Sequence, residues 1–344
     1  MQMTQSAARP VSLALQGGGA HGAFTWGVLD RLLMDERIRI VAISGCSAGA
    51  MNAVVAASGL MAGGPEGACA ALARFWRAIS DAARFSPVQR NPIDMFLGNW
   101  SLDFSPGFHL VNGLSRALSP YAVNPLNINP LKTLLEAHVD FDALRRCEQI
   151  RIFISATDVE TGRITLFDRH RLTADMVMAS ACLPQLFQAV EVEGRHYWDG
   201  GYSGNPALFP LFEVPETKDI VIVQVTPFTR RGVPVTAHDI QERVNEITFN
   251  ASLLAELRAI DFVRRMINAG ALPRERYRKM RIHMIADEDA MSPLGSSSKL
   301  NAEWAFLQHL HDLGHAAAGA WLDRHADDLG RRSTVNLRAL LRGG

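Results

Sequence analysis

Two strand–glycine turn–helix units follow each other near the start of the chain, and this repetition restricts the fold more than any other feature. The apolar run Val11–Leu15 stops at three glycines, 17–19, and residues 23–33 then place apolar side chains at helical spacing. The run Ile38–Ile43 repeats the strand pattern, and residues 48–60, rich in Ala, Val and Met, repeat the helix pattern. Successive units of this kind predict an α/β fold class with a mostly parallel, wound central sheet.

Later segments continue both patterns. Buried strands are predicted at 150–156, 164–167 and 220–225, and a hairpin joins 190–192 to 196–198 through Glu193-Gly194. Helices are predicted at 174–181, along an apolar stripe from Leu253 to Ile267, and over 301–325. The stripe fits either an internal core face or a surface for a partner, and the core face is the preferred interpretation.

Residues 85–130 lose this regularity, because prolines alternate there with Phe, Trp and Tyr. We interpret the stretch as an insertion within a domain spanning 11–225, and residues 226–344 as a mainly helical C-terminal extension packed on the same domain. The aromatic content allows two interpretations of the insertion. It either covers a crevice and touches lipid, or it is a packed excursion of the surface.

Composition excludes several classes of function. Among 344 residues, 35 Lys and Arg balance 35 Asp and Glu, so the charge expected of a dedicated nucleic-acid binder or of a polybasic membrane anchor is missing. The 4 cysteines form no CxxC pair, which argues against a disulfide framework and a cysteine zinc site. We therefore expect no nucleic-acid partner; oligomeric state is left open.

The sequence predicts a cytoplasmic protein. Residues 1–10 are polar and do not match a secretory signal peptide. The uncharged stretch 40–65 is long enough to cross a membrane, but its interior, Gly45 to Gly49, fits a strand, a tight turn and a buried helix better. We therefore expect neither a signal peptide nor a transmembrane helix.

The strongest candidate for chemistry is the second glycine turn. Gly45-Cys46-Ser47-Ala48-Gly49 has the GxSxG pattern of a nucleophile elbow, in which a sharp strand-to-helix turn exposes a serine hydroxyl. The flanking glycines leave room for the turned backbone. The alternative is an ordinary turn whose serine caps the helix.

The first glycine turn has two interpretations. Gly17, Gly19 and Gly22 match the GxGxxG fingerprint of dinucleotide-binding proteins, but the second strand ends in Ser44-Gly45 and not in the acidic residue that would bind the ribose. Alternatively, successive glycine amides can stabilise the negative oxygen of a tetrahedral intermediate. Because the two turns lie on neighbouring units, both can face one crevice at the carboxyl ends of the strands.

A serine nucleophile also needs a base. Asp199 precedes Gly200-Gly201 after the hairpin, where an aspartate taken alone more often makes a turn. A conventional triad would instead use one of several later histidines. These candidates are His283, His309, His311 and His315. His311 and His315 also have the i, i+4 spacing of a zinc site, although a solvated face of the helix is the preferred interpretation.

The motifs, taken in order, resemble those of the patatin-like phospholipases. The glycine loop 17–22, the elbow 45–49 and Asp199-Gly200-Gly201 each match a motif of that family. The segments 179–187 and 194–206 also resemble the family's approach to its aspartate. The resemblance extends from about residue 11 to residue 225.

The resemblance implies a three-layer α/β/α fold and hydrolysis of lipid acyl esters, of phospholipase A or lysophospholipase type, through an acyl-enzyme. Ser47 would be the nucleophile, Asp199 the base, and Gly17, Gly18 and Gly19 the oxyanion donors. No metal or cofactor would be needed, and a membrane-derived ester substrate would bring peripheral membrane contact. The supporting residues of the matched motifs are His21, Gly22, Gly45, Gly49, Gly200 and Gly201.

One departure from the family pattern is His21, which stands where the family usually has Arg or Lys. Because a free imidazole titrates near neutrality, we predict that activity or substrate binding depends on pH through His21, the alternative being a surface histidine at a helix start. Two other functions are kept open. One is a non-catalytic lipid-binding or regulatory protein on the same fold, and the other is a dinucleotide-dependent enzyme.

Overall fold

Both predicted strand–turn–helix units form, and their strands lie side by side in one sheet. A computed structural model describes residues 8–96 and 98–343; residues 1–7, on which part of the signal-peptide prediction rests, lie outside the described residues, as do Leu97 and Gly344. The first unit comprises β1 (Arg9–Leu15) and α1 (Gly22–Leu33), and the second comprises β2 (Ile38–Gly45) and α2 (Ala48–Ala83). Helix α2 runs past its predicted end at residue 60 because the chain bends at Gly63-Gly64 and then resumes helical geometry.

The remaining elements follow in chain order. After α2 and before the third strand come α3 (Pro92–Phe96), α4 (Pro106–Ala117), α5 (Pro120–Val123), α6 (Pro130–His138) and α7 (Phe141–Arg146). Next come β3 (Arg151–Asp158), β4 (Ile164–Asp168), α8 (Ala174–Ser180), β5 (Val190–Val192), β6 (Arg195–Asp199) and β7 (Asp219–Val223). The last elements are α9 (Ala237–Asn268), β8 (Arg281–Ile285), α10 (Glu288–Met291), α11 (Trp304–His325) and α12 (Leu337–Arg342).

The strands form one eight-stranded sheet in which hydrogen-bonded neighbours follow the path β5-β6-β3-β2-β1-β7-β8, and β4 also pairs with β3. Strands β1, β2, β3, β7 and β8 run parallel, and the pairs β3–β4, β3–β6 and β5–β6 are antiparallel. The mostly parallel sheet predicted from the repeated units is therefore confirmed.

Helices cover both faces of the sheet. On β7, Val221 and Val223 belong to the core under α1, α2 and α11, whereas Ile220 and Ile222 belong to the core under α9 and α12. Because successive side chains of a strand point to opposite faces, this alternation places the sheet between two helical layers. The buried residues Leu253, Leu257 and Ile260 show that the apolar stripe of α9 is a core face.

The C-terminal segment does more than pack against the sheet, because it supplies β8. Sequence analysis missed this strand, which pairs in parallel with β7 from Asp219↔Arg281 to Val223↔Ile285. The insertion 85–130 also holds more regular structure than its pattern indicated, namely the short helices α3, α4 and α5. In the part of the chain that the structure describes, no helix combines the length and apolar character needed to span a bilayer.

Candidate active site

Ser47 occupies a strained turn between β2 and α2. Its φ of 53° and ψ of −121° lie where non-glycine residues are seldom found. Such a conformation costs on the order of 1–3 kcal/mol and persists only when the surroundings hold it in place. Here the Ser47 N–H donates to Ser180 Oγ at 2.8 Å, and the Ser47 carbonyl accepts from Met51 N at 3.1 Å. Ser47 is half-buried and not sealed inside the core.

The sheet brings Asp199 to the end of β2. Ile154 of β3 pairs with both Gly45 of β2 and Phe167 of β4, so β2 and β4 lie on opposite edges of β3. Two residues further on, Ala156 pairs with both β4 and Asp199 of β6. Strand β6 therefore occupies the edge of β3 that β2 leaves when it turns into the elbow. This placement brings Asp199 to the end of β2, although 152 positions of the sequence separate it from Ser47.

The Asp199 carboxylate is 1% exposed, and its two oxygens differ in environment. Oδ1 accepts from Gly201 N at 2.7 Å and from Cys46 Sγ at 3.7 Å. Oδ2 is buried, and no described residue donates a hydrogen bond to it. The structure thus holds a carboxylate beside the elbow with one oxygen fixed and the other still able to accept a proton.

Burial raises the pKa of Asp199 from 3.8 to about 6, because desolvation penalises the charged form. The Gly201 N–H opposes this rise, and so, to a smaller extent, do the side chains of Ser47 and Cys46. The 3.7 Å contact between Cys46 Sγ and Asp199 Oδ1 places the carboxylate beside the residue that precedes Ser47 in the elbow. A carboxylate with this pKa is a stronger base than an exposed aspartate and is still ionised at neutral pH.

The glycine loop lies against the elbow, but its amides are not equivalent. A methyl group at Gly17 would lie 2.7 Å from Ser47 Cβ, so only glycine fits there. The Gly17 N–H donates to Asn205 Oδ1 at 2.7 Å and is therefore not free for a substrate, contrary to our expectation. Gly18 is half-buried and Gly19 is exposed, and neither amide donates to a described residue. The oxyanion prediction now rests on Gly18 and Gly19.

The supporting glycines mark places where other parts of the fold approach the backbone closely. A side chain at any of them would overlap a neighbouring atom, either of the backbone or of the core. These positions are Gly22, Gly45, Gly49, Gly200 and Gly201. Gly201, for example, lies under the ring of Phe249 from α9, so the segment that carries Asp199 is packed directly against that helix.

His21 does not behave as the sequence predicted. It is 2% exposed, so it is not a surface histidine, and its Nε2 is 2.8 Å from Ser298 Oγ. Burial lowers the pKa of His21 to about 3, and the charge of Lys299 lowers it further. The predicted titration of His21 near neutrality is therefore wrong, because the imidazole stays neutral there.

The later histidines have partners elsewhere. His283 Nε2 hydrogen-bonds with Asp219 at 2.9 Å, and His311 Nε2 hydrogen-bonds with Asp30 at 3.0 Å. Among the described residues, none of the four histidines considered for a triad hydrogen-bonds to Ser47 or Asp199. Residues 8–96 and 98–343 also contain no group of three or more His, Cys, Asp or Glu side chains arranged to hold a metal ion.

Sequence analysis did not assign roles to two residues that support the turns. Ser180 holds the Ser47 backbone, and Asn205 holds that of Gly17. Both lie in the segments that resemble the family's approach to its aspartate, so their position was visible. Their function was not, because it depends on contacts across 133 and 188 positions of the chain.

Solved structures and a family model were compared with this chain. Three solved structures similar to this chain are VipD from Legionella pneumophila, the heterodimeric complex ExoU–SpcU from the type III secretion system of Pseudomonas aeruginosa, and the type III effector protein ExoU. VipD is 14% identical with a TM-score of 0.43, over 93% of this chain and 67% of VipD. The complex gives 15% identity and a TM-score of 0.34, over 94% of this chain and 53% of the matched chain. The effector gives 14% identity and a TM-score of 0.30, over 92% of this chain and 54% of that one.

Family-level similarity is more decisive. A search of curated proteins finds no match. The family model described as patatin-like phospholipase matches residues 13–212, which include the glycine loop, the elbow and Asp199 and exceed half of the chain. The chain therefore belongs to the patatin-like phospholipase family, a family of lipid hydrolases.

Proposed function

We propose that this protein hydrolyses the acyl esters of phospholipids or lysophospholipids, with Ser47 as nucleophile and Asp199 as base. The observation that carries the proposal is the buried carboxylate of Asp199, with one oxygen free and a pKa raised to about 6, beside a serine in a strained elbow. Asp199 would then be ionised at neutral pH and basic enough to accept a hydroxyl proton.

The reaction proceeds in two halves. Asp199 takes the proton of Ser47 Oγ while that oxygen attacks the ester carbonyl carbon, and the electron pair of the carbonyl π bond moves to its oxygen. The amides of Gly18 and Gly19 stabilise this negative oxygen. The alcohol then leaves with the proton from Asp199, and an acyl-enzyme remains. Water, deprotonated by Asp199, releases the fatty acid by the same steps, so the scheme uses no metal and no cofactor.

The insertion 85–130 supports a substrate drawn from a lipid surface. It exposes large apolar side chains, with Phe85 95%, Phe96 89% and Leu126 80% exposed. It also contacts the segment that leads to Asp199, since Gln188 Nε2 donates to Asn124 O at 2.7 Å. We propose that this apolar face makes peripheral contact with a membrane and that lipid reaches the crevice from it.

A lipid-panel hydrolysis assay tests the proposal. Wild type, Ser47→Ala and Asp199→Asn are incubated with phosphatidylcholine, lysophosphatidylcholine, triacylglycerol and a neutral chromogenic ester, and released fatty acid is measured. We expect turnover by wild type and a loss of at least a thousandfold in both variants, with Ser180→Ala as a variant that weakens the turn but keeps the reacting groups. Lipid binding by wild type without turnover of any ester would favour the non-catalytic lipid-binding alternative instead.

A further inference from the structure

A short 3-10 turn, Ser297–Leu300, packs on the glycine loop. Gly19 has a φ of 59°, and a methyl group there would overlap the Lys299 carbonyl and lie 3.3 Å from Lys299 Cβ. The neighbouring Ser298 Oγ is 2.8 Å from His21 Nε2. These contacts place the start of the Lys299 side chain against the exposed glycine of the loop.

The turn is also fixed from the opposite side. Ser296 donates to Glu242 Oε1 through its backbone N–H at 2.8 Å and through its hydroxyl at 2.6 Å. Ser297 Oγ accepts from Leu102 N at 3.1 Å. Lys299 is therefore carried by a turn tied to helix α9 and to the insertion, so its position relative to Gly19 is well defined.

Glu246 and Glu242, the carboxylates that most affect the pKa of Lys299, have arginine partners. Glu246 pairs with Arg230 at 2.6 Å and with Arg243 at 3.1 Å, and Glu242 lies 3.8 Å from Arg230. Lys299 itself forms no ion pair with a carboxylate of the described residues. Its positive charge is thus not neutralised by a direct partner.

The field of Lys299 reaches the candidate active site. Its charge lowers the pKa of Asp199, the candidate base, and that of His21 in the glycine loop. Burial lowers the pKa of Lys299 itself, and Glu246 and Glu242 oppose that change. A partly desolvated cation acts over a longer range than one in water, because the surrounding dielectric screens it less.

We propose that the Lys299 side chain stabilises the negative charge that develops on the substrate carbonyl oxygen beside the Gly18 and Gly19 amides. This role rests on the proposed function. Lys299 gains and loses no proton in it; the serine proton still moves to Asp199, and the ammonium contributes only electrostatic attraction. Because this attraction is strongest when the oxygen is fully charged, it favours the transition state over the bound ester.

The test compares Lys299→Met with Lys299→Arg, which keeps the charge, on two substrates. One is a neutral chromogenic ester and the other is a phospholipid. We expect Lys299→Met to lower kcat at least tenfold on both, with KM changed less than twofold, and Lys299→Arg to recover most of the loss. Lys279→Met, which removes an exposed lysine that contacts Asn268, should match wild type.

A second measurement guards against misfolding. Thermal melting should show that each variant is folded. In the folded variants, the rate at which a fluorophosphonate labels Ser47 should fall in parallel with kcat, because that reaction also builds negative charge on the phosphoryl oxygen. Lys299→Gln provides a polar replacement if the Met variant does not fold.

The outcomes separate this role from its alternatives. Turnover of both substrates by folded Lys299→Met or Lys299→Gln within twofold of wild type would overturn the proposal. A loss confined to the phospholipid would also overturn it, since Lys299 would then bind the phosphate group. If Ser47→Ala retains activity, the serine mechanism itself fails, and the role of Lys299 fails with it. If Ser47→Ala is inactive while Lys299→Met is not, only the role of Lys299 fails.

Discussion

Replacing Asp199 by Asn should abolish hydrolysis and at the same time stabilise the fold at neutral and alkaline pH. Asp199 is 1% exposed, and burial raises its pKa from 3.8 to about 6. The folded state therefore binds the proton more tightly than the unfolded state does. It follows that the contribution of Asp199 to the free energy of unfolding is fully present below about pH 4 and is lost as pH rises through about 6.

The size of this change in unfolding free energy follows from the shift in the pKa of Asp199. A rise from 3.8 to about 6, at ~1.36 kcal/mol per pH unit, corresponds to about 3 kcal/mol of unfolding free energy lost between pH 4 and pH 8. Asparagine carries no charge at any of these pH values, and its Oδ1 can still accept from Gly201 N, which donates to Asp199 Oδ1 at 2.7 Å. We therefore expect Asp199→Asn to be more stable than wild type by up to about 3 kcal/mol at pH 8, and by almost nothing at pH 4.

Urea unfolding of wild type and Asp199→Asn at pH 4, 6 and 8 measures this difference directly. Asp289→Asn, which removes an exposed carboxylate, is the matched control and should show no such pH-dependent gain. The wild-type kcat/KM for a neutral ester should fall about tenfold per unit below pH 6. A stability gain of equal size at pH 4 and pH 8, or a loss at pH 8, would refute the assignment of a buried, ionised base.

Three further substitutions test neighbouring contacts. Asn205→Ala leaves the Gly17 amide without its acceptor and should lower the unfolding free energy by about 1–3 kcal/mol; an unchanged urea midpoint would contradict this. His21→Gln should leave the shape of the pH–rate profile between pH 5 and 8 unchanged, because burial keeps the imidazole neutral there; a displaced limb would show that His21 titrates. Burial raises the pKa of Glu256 from 4.5 to about 7, so the free energy of unfolding falls as pH rises between these two values. Glu256→Gln should therefore melt at a higher temperature than wild type at pH 8 but not at pH 4. The same gain at both pH values would contradict the raised pKa.

The sequence was sufficient to predict the centre of the fold. Strands buried on both faces are continuous apolar runs, and a glycine turn shows where each ends, so β1 and β2 were located to within two residues. The hairpin of β5 and β6 was equally visible, because Glu193-Gly194 separates two short strands and both residues have positive φ.

Strand β8 was missed for a physical reason. Its sequence, from Arg281 to Ile285, places Arg and His in a strand whose core is otherwise apolar. Both side chains are tolerated because they hydrogen-bond to the buried carboxylate of Asp219, Arg281 at 2.8 Å and His283 at 2.9 Å. That carboxylate lies 62 and 64 positions earlier in the chain, so no local pattern reveals the pairing.

Contacts with distant residues, which no local pattern reveals, also determine the environments of His21 and Gly17. A histidine at the start of a helix predicts a solvated, titrating side chain, but the turn at Ser298, 277 positions away, covers His21. Likewise, a glycine loop predicts free amides, but the Gly17 amide donates a hydrogen bond to Asn205 Oδ1. Sequence patterns identified these residues as parts of the candidate site, whereas contacts between distant segments determine their protonation and hydrogen bonding.

In the proposed mechanism, the positions of the charges explain how one site can hold both a strong base and a stabilised anion. A cation in direct contact with Asp199 would lower the pKa of the carboxylate and weaken it as a proton acceptor. Lys299 is instead anchored at Gly19, on the side of the glycine loop, and it is the smallest of the principal influences on the pKa of Asp199. Because Coulomb attraction falls with distance, a cation placed there acts most on charge near the loop and leaves the base largely unaffected.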